Sequence, residues 1–206
     1  MSSGLGRMLL MAAGWAVAVV AGGCGPNAGE GLSGRGNLDA RSDPPAQTQQ
    51  IDYVERGHYL VTILACNDCH TPFKMGEKGP EPDMARMLSG HPQQIGALEP
   101  PTLSEPWIWA GTGTNTAFAG PWGITYAINL TPDNHTGIEI WTEEMFIKAM
   151  RTGRHFGEAR QIMPPMPWQY FGQMTDDDLK SIYAYLRTIP PISNMVPEYQ
   201  PPPKGK

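Results

Sequence analysis

The 206-residue chain has only three cysteines, Cys24, Cys66 and Cys69. Three thiols cannot build a dense disulfide framework, and the lack of a second Cys pair excludes a four-ligand structural zinc site. Cationic excess is missing as well: 15 Lys and Arg stand against 20 Asp and Glu, a formal charge of −5. A protein that binds by neutralising phosphates needs the opposite balance, so no nucleic-acid partner is expected. The apolar run from Met8 to Ala21 falls short of the roughly 18 residues that a membrane-spanning helix requires. Gly111-Thr112-Gly113-Thr114 is too short for a dinucleotide fingerprint. What the chain has in plenty is Gly (24) and Pro (21). That content excludes a plain helical bundle and favours short helices separated by long, shaped loops.

Arg7 is the only charge in residues 1–23. With the apolar run behind it, this stretch reads as an export signal. It closes on Val20-Ala21-Gly22-Gly23-Cys24, which resembles the lipobox of bacterial lipoproteins, whose cysteine is acylated and becomes the mature N-terminus. The expectation is a periplasmic protein held on a membrane through lipid on Cys24. Ordinary cleavage, leaving a soluble periplasmic form, is the alternative. Residues 24–50 hold only two Leu and no aromatic, too little apolar surface to offset the entropy of ordering. They read as a tether reaching on the order of 28 Å.

Folding signals begin at residue 51. Asp52 can cap a helix and Glu55 completes a capping-box pattern. Tyr53, Gly57, Leu60, Val61 and Leu64 share one helical face. The helix leads into Cys66-Asn67-Asp68-Cys69-His70, the attachment signal for c-type haem. Each thiol adds to one vinyl group of the ring, and a single turn of chain spans the two vinyls. The following imidazole of His70 then sits over the ring face, where it can bind iron. One such motif implies one covalently attached haem c.

With Arg56-Gly57-His58-Tyr59-Leu60 before that motif, other stretches fall into a pattern. They are Asn129-Leu130-Thr131-Pro132-Asp133, Thr136-Gly137-Ile138, Trp141-Thr142-Glu143-Glu144-Met145-Phe146, Met166-Pro167-Trp168, Asp178-Leu179-Lys180 and Tyr183-Ala184-Tyr185-Leu186-Arg187. From about residue 51 to 197 the chain resembles a class I cytochrome c. More narrowly, it is similar to the cytochrome domains found with bacterial quinoprotein and flavin-linked dehydrogenases, whose subunits often carry three such domains. The resemblance implies a mainly α fold whose first and last helices cross with a glycine against an aromatic residue, here Gly57 with Tyr185. It also implies a methionine as the second axial ligand of iron. Met166, in a Met-Pro-aromatic setting, is the match, and Met163 is the second choice. The prolines of Ile162–Trp168 stiffen that loop.

Each spare histidine has a blander role. His58 reads as a polar-face residue, His91 and His135 as loop residues and His155 as a helix-end residue. Arg154 and Arg160 could pair a haem propionate, but each reads first as solvated surface charge. Thr142 caps a helix with Trp141 and Phe146 as its staple, burying Phe146, Ala149 and Met150. Thr175 caps the last, with Asp178 closing a capping box and Met174 and Leu179 as staple. Leu179, Ile182, Tyr183, Leu186 and Ile189 form its stripe before Pro190-Pro191 stops it. Residues 71–130 lack helical periodicity and are expected to be an enlarged loop region, with a short strand within Ile124–Leu130. They read as a lid over the haem edge or as a docking surface. Residues 198–206 read as a Pro-rich tail.

With histidine and methionine both bound, iron has no open position, and such a site passes single electrons. The expected function is a membrane-anchored electron carrier, not an enzyme by itself, serving a dehydrogenase, an oxidase or another cytochrome. A gas sensor or a small haem peroxidase is the alternative, and either needs a displaceable or absent methionine.

Overall fold

A computed structural model describes residues 50–203. The signal-like segment and Cys24 lie outside the described residues, as does the tether before Gln50. The first helix, α1 (Tyr53–Ile63), starts where Asp52 accepts the N–H groups of Val54 and Glu55 at 3.0 Å each. One short turn later comes α2 (Cys66–His70), entered through Ala65 in the left-handed region at φ 56°. The later helices are α3 (Glu143–Thr152), capped by Thr142, then α4 (Trp168–Phe171), then α5 (Asp176–Leu186), capped by Thr175.

The core lies where α1, α3 and α5 meet. Leu60, Val61, Phe146, Ala149, Leu179, Ile182 and Leu186 are buried together there with Leu88, Ile138 and Trp141. The expected stripe of the last helix is on this face, although Ile189, also buried, follows the helix end at Leu186. Asp178 does not close the expected capping box, because its carboxylate bonds Arg56 and not the Thr175 N–H. Its N–H donates to Thr175 (3.1 Å), while its carboxylate takes the Arg56 guanidinium at 2.8 Å across the helix crossing. Helices this close put a cation within reach, and a charged donor outbids a neutral backbone N–H.

Gly57 explains the closeness. A Cβ there would lie 1.9 Å from the Ser181 carbonyl oxygen and 2.7 Å from Cβ of Tyr185. Helix α1 therefore rides directly on the backbone of α5, and the expected Gly57–Tyr185 contact is part of that seat.

The region between α2 and α3 is more ordered than expected. Strands β1 (Phe73–Gly76) and β2 (Gly79–Pro82) form a hairpin. Strands β3 (Ala110–Gly111), β4 (Ala117–Gly120) and β5 (Gly123–Tyr126) form a second antiparallel sheet. The expected strand is real but ends at Tyr126, where the chain turns off to bond Thr116 and Leu88 through the Ala127 and Leu130 N–H groups. Gln200 pairs with Ile124 in both directions, at 2.8 and 3.0 Å, so pairing with the sheet extends past residue 197. Among the described residues no helix is long and apolar enough to cross a membrane.

Gly57→Ala tests the crossing. Alanine gains about 1 kcal/mol of helix propensity. Its methyl must nevertheless push two backbones apart, and the expected net result is a loss of about 2 kcal/mol in urea or thermal unfolding.

Candidate functional site

Four residues of α2, Cys66, Asp68, Cys69 and His70, help to wall a cavity of about 370 Å³. Cys66, Cys69 and His70 all line it, because a single helical turn puts positions one, four and five on neighbouring sides of the helix. The opposite walls are apolar: Val61, Leu64, Ile128, Leu130, Ile138, Trp141 and Phe146 from the core side, Phe118 and Tyr126 from the sheet. Burial pushes the Cys66 thiol up to about 11 and the Cys69 thiol upward too, so both are held as neutral thiols.

His70 is buried, and its Nδ1 lies 2.9 Å from the Ile128 carbonyl oxygen. A carbonyl can only accept, so Nδ1 carries the proton and Nε2 keeps the lone pair. Burial also lowers the pKa of this imidazole, favouring its neutral, ligating form. The Ile128–Ile138 segment that presents this carbonyl is itself braced. Asn129 is buried, donates to the Ile192 carbonyl (2.7 Å) and to Thr136 Oγ1 (3.1 Å), and accepts the Thr131 N–H and hydroxyl. Asp133 accepts the Thr136 hydroxyl at 2.6 Å and its N–H at 2.8 Å, and these donors hold its carboxyl below the usual range.

Met163 and Met166 both line the same cavity, and Met166 also packs against the core. Their loop is fastened at both ends to Gly153, the αL cap of α3 at φ 65°. The Ile162 N–H donates to the Gly153 carbonyl at 2.7 Å, and the Trp168 ring covers the glycine so closely that a Cβ would lie 2.3 Å from it.

The cavity thus brings together Cys66, Cys69, His70, Met163 and Met166. Of the two arginines read as propionate partners, Arg160 lines the cavity, while Arg154 donates to the Ala159 carbonyl. His155 also lines it, with its ring 5.0 Å from that of Trp141, which its position at a helix end did not reveal. The other histidines lie elsewhere. His58 is exposed beside Tyr185, His135 is exposed, and buried His91 bonds Thr116 Oγ1 at 2.9 Å. Phe118 and Tyr126, which the sequence offers as apolar cover in the region read as a lid, line the wall, and the same small sheet delivers Thr125, for which the sequence carries no signal.

Among the described residues no cluster of three His, Cys, Asp or Glu side chains could hold a bare metal ion. A flat apolar group carrying its own metal and most of its ligands does fit. The apolar walls suit a macrocycle, and two thiols, an imidazole with a free lone pair and two thioethers line the same cavity.

No family model matches the chain. It is 28% identical over 162 residues to the fructose dehydrogenase cytochrome subunit of Gluconobacter japonicus, covering 78% of this chain and 26% of that protein. It is 34% identical over 159 residues to the alcohol dehydrogenase (quinone) cytochrome c subunit of Gluconacetobacter polyoxogenes, covering 76% and 26%. To the gluconate 2-dehydrogenase cytochrome c subunit of Pantoea cypripedii it is 35% identical over 142 residues, covering 68% and 24%. The chain is a relative of dehydrogenase cytochrome c subunits. It spans about a quarter of the length of these relatives. The relationship implies a class I-like cytochrome c fold, with five short strands beside five α-helices among the described residues.

The bracing of Ile128 has a pH signature. Asp133→Asn is expected to cost about 1 kcal/mol at pH 7. Because the folded carboxyl lies below its unfolded value, this contribution is complete above about pH 4 and fades as pH falls through the folded value. Urea unfolding of the two proteins should therefore differ at pH 7 and converge in acid.

Proposed function

We propose that this chain is a one-haem c-type cytochrome that carries single electrons, with a dehydrogenase as the partner its relatives favour. Cys66 and Cys69 would hold the group through thioethers, and His70 and Met166 would ligate its iron, with Met163 second in line. Bound there, the haem supplies reversible one-electron chemistry at iron.

The residues of the chain do the rest. The Ile128 carbonyl fixes the tautomer and orientation of His70, as outer-shell acceptors do for ligating histidines. The Gly153-anchored loop presents a sulfur from the far side. A thioether and an apolar wall favour the less charged, reduced form and raise the potential. With both axial positions filled, oxygen and peroxide find no place to bind, which is why a carrier is favoured over an oxidase, peroxidase or gas sensor. Upstream, an acylated Cys24 and the tether to residue 50 would keep the domain at the periplasmic face of a bacterial membrane while leaving it room to move.

The observation that carries this reading is the single turn of α2, which lines an apolar cavity with two thiols and a histidine whose Nδ1 is already engaged. The decisive measurement is the optical spectrum of the haem-loaded protein, oxidised and reduced, with and without carbon monoxide. The wild type should show a sulfur-to-iron charge-transfer band and no carbon monoxide shift, and Met166→Ala should lose the band. A band that survives moves the ligand to Met163. A wild type that binds carbon monoxide sinks the carrier reading.

A further inference from the structure

We propose that Trp107, Ile108 and Trp109, with the acidic loop that bears them, form the docking surface for a redox protein whose own docking face is apolar at its centre and ringed by Lys and Arg. The inference rests on the reading of the chain as a cytochrome and adds to it where the electron crosses and what kind of partner receives it.

Three consecutive large apolar side chains stand in water here, 70%, 68% and 45% exposed. Isolated exposed apolar residues are ordinary, but a contiguous aromatic patch on a monomer marks an interaction site. Tryptophan is also the side chain most enriched among residues that dominate binding energy.

The patch is joined to the cavity. The Trp109 ring centroid lies 6.3 Å from that of Phe118, and Phe118 is buried and lines the cavity wall. Tunnelling falls steeply with distance, so a partner seated on Trp109 is separated from the cavity by little more than two neighbouring rings, inclined at 55° to each other.

Charge selects the partner. From Met87 to Ile147 the chain has no Lys or Arg, and the loop carrying the patch holds Glu99 and Glu105, both exposed. An acidic partner is repelled by these carboxylates, while a basic rim is steered toward them and meets no cation from this stretch of chain. On docking, one electron leaves the reduced group held by this chain and reduces the oxidised partner. No bond is made or broken and no proton moves.

The test is stopped-flow oxidation of the reduced, haem-loaded chain by oxidised mitochondrial cytochrome c, a lysine-rich redox protein used as the probe. Ferricyanide, which needs no protein docking, is the control. Trp107→Ser should slow the reaction with the probe about fivefold, and the Trp107→Ser/Trp109→Ser pair about tenfold or more, with ferricyanide rates unchanged. Glu99→Lys/Glu105→Lys should slow it at low ionic strength and match the wild type at high salt. If the pair also loses ferricyanide reactivity its site is damaged, and Trp107→Ser alone decides. Wild-type rates in the tryptophan variants overturn the docking surface, and rates blind to the charge reversal overturn the basic partner. A chain that takes up no haem overturns this inference together with the cytochrome reading, whereas a loaded chain with patch-independent rates overturns this inference alone.

Discussion

Backbone rests on backbone where α1 crosses α5, and most of the described architecture is set from that seat. With Gly57 against the Ser181 carbonyl, the two helices approach as nearly as helices can, and the side chains on either side of the contact have no freedom to shuffle. Leu60 and Val61 fall onto Leu179, Ile182 and Leu186, and Arg56 is brought onto Asp178. The end of α1 is thereby aimed, so the next turn of chain, α2, emerges at the edge of the core with its thiols and imidazole toward the cavity. A looser crossing would leave Cys66, Cys69 and His70 intact as a motif and misplaced as a site.

The site itself separates two physical duties. Its walls are mostly apolar and suit a flat group by shape and exclusion of water. Arg160 and His155 reach the wall, while a second set of polar groups stands one layer back, where the Ile128 carbonyl meets His70 and where Asn129, Asp133 and Thr136 brace the segment that presents it. Buried polar groups are tolerable only when fully bonded, and Asn129 uses both its amide donors and its oxygen. The brace therefore adds rigidity next to the cavity, and its one carboxylate, Asp133, is engaged by Thr136.

How much of this the sequence discloses depends on whether the signal is local. Caps at Asp52, Thr142 and Thr175 and the apolar stripe of α5 are written in short-range patterns, and the helices stand where those patterns put them. The haem-attachment motif is legible because its chemistry fixes its spacing. Strand β2 was not legible: Gly79-Pro80-Glu81-Pro82 has no strand propensity, and pairing with β1 alone makes it one. The same holds for Gln200, which joins the sheet only because Ile124 offers it an edge. Phe118 and His155 became wall residues through tertiary placement, and a helix crossing turned Asp178 from a local cap into a long-range ion partner. Local chemistry was readable, and whatever depends on two distant segments meeting was not.

Both ends of the methionine loop are secured on one glycine, and this bears on energy as well as position. A loop pinned to the cap of α3 by a hydrogen bond at Ile162 and an indole at Trp168 cannot swing out by bending a single hinge. To move away it must release the cap, uncover the indole and loosen the last turn of α3 together. The sulfur is therefore held by an all-or-none arrangement, and its position is insensitive to a change of one charge nearby. For the proposed carrier, a loop fastened in this way would favour a small reorganisation energy, since less of the driving force would go into rearranging the protein.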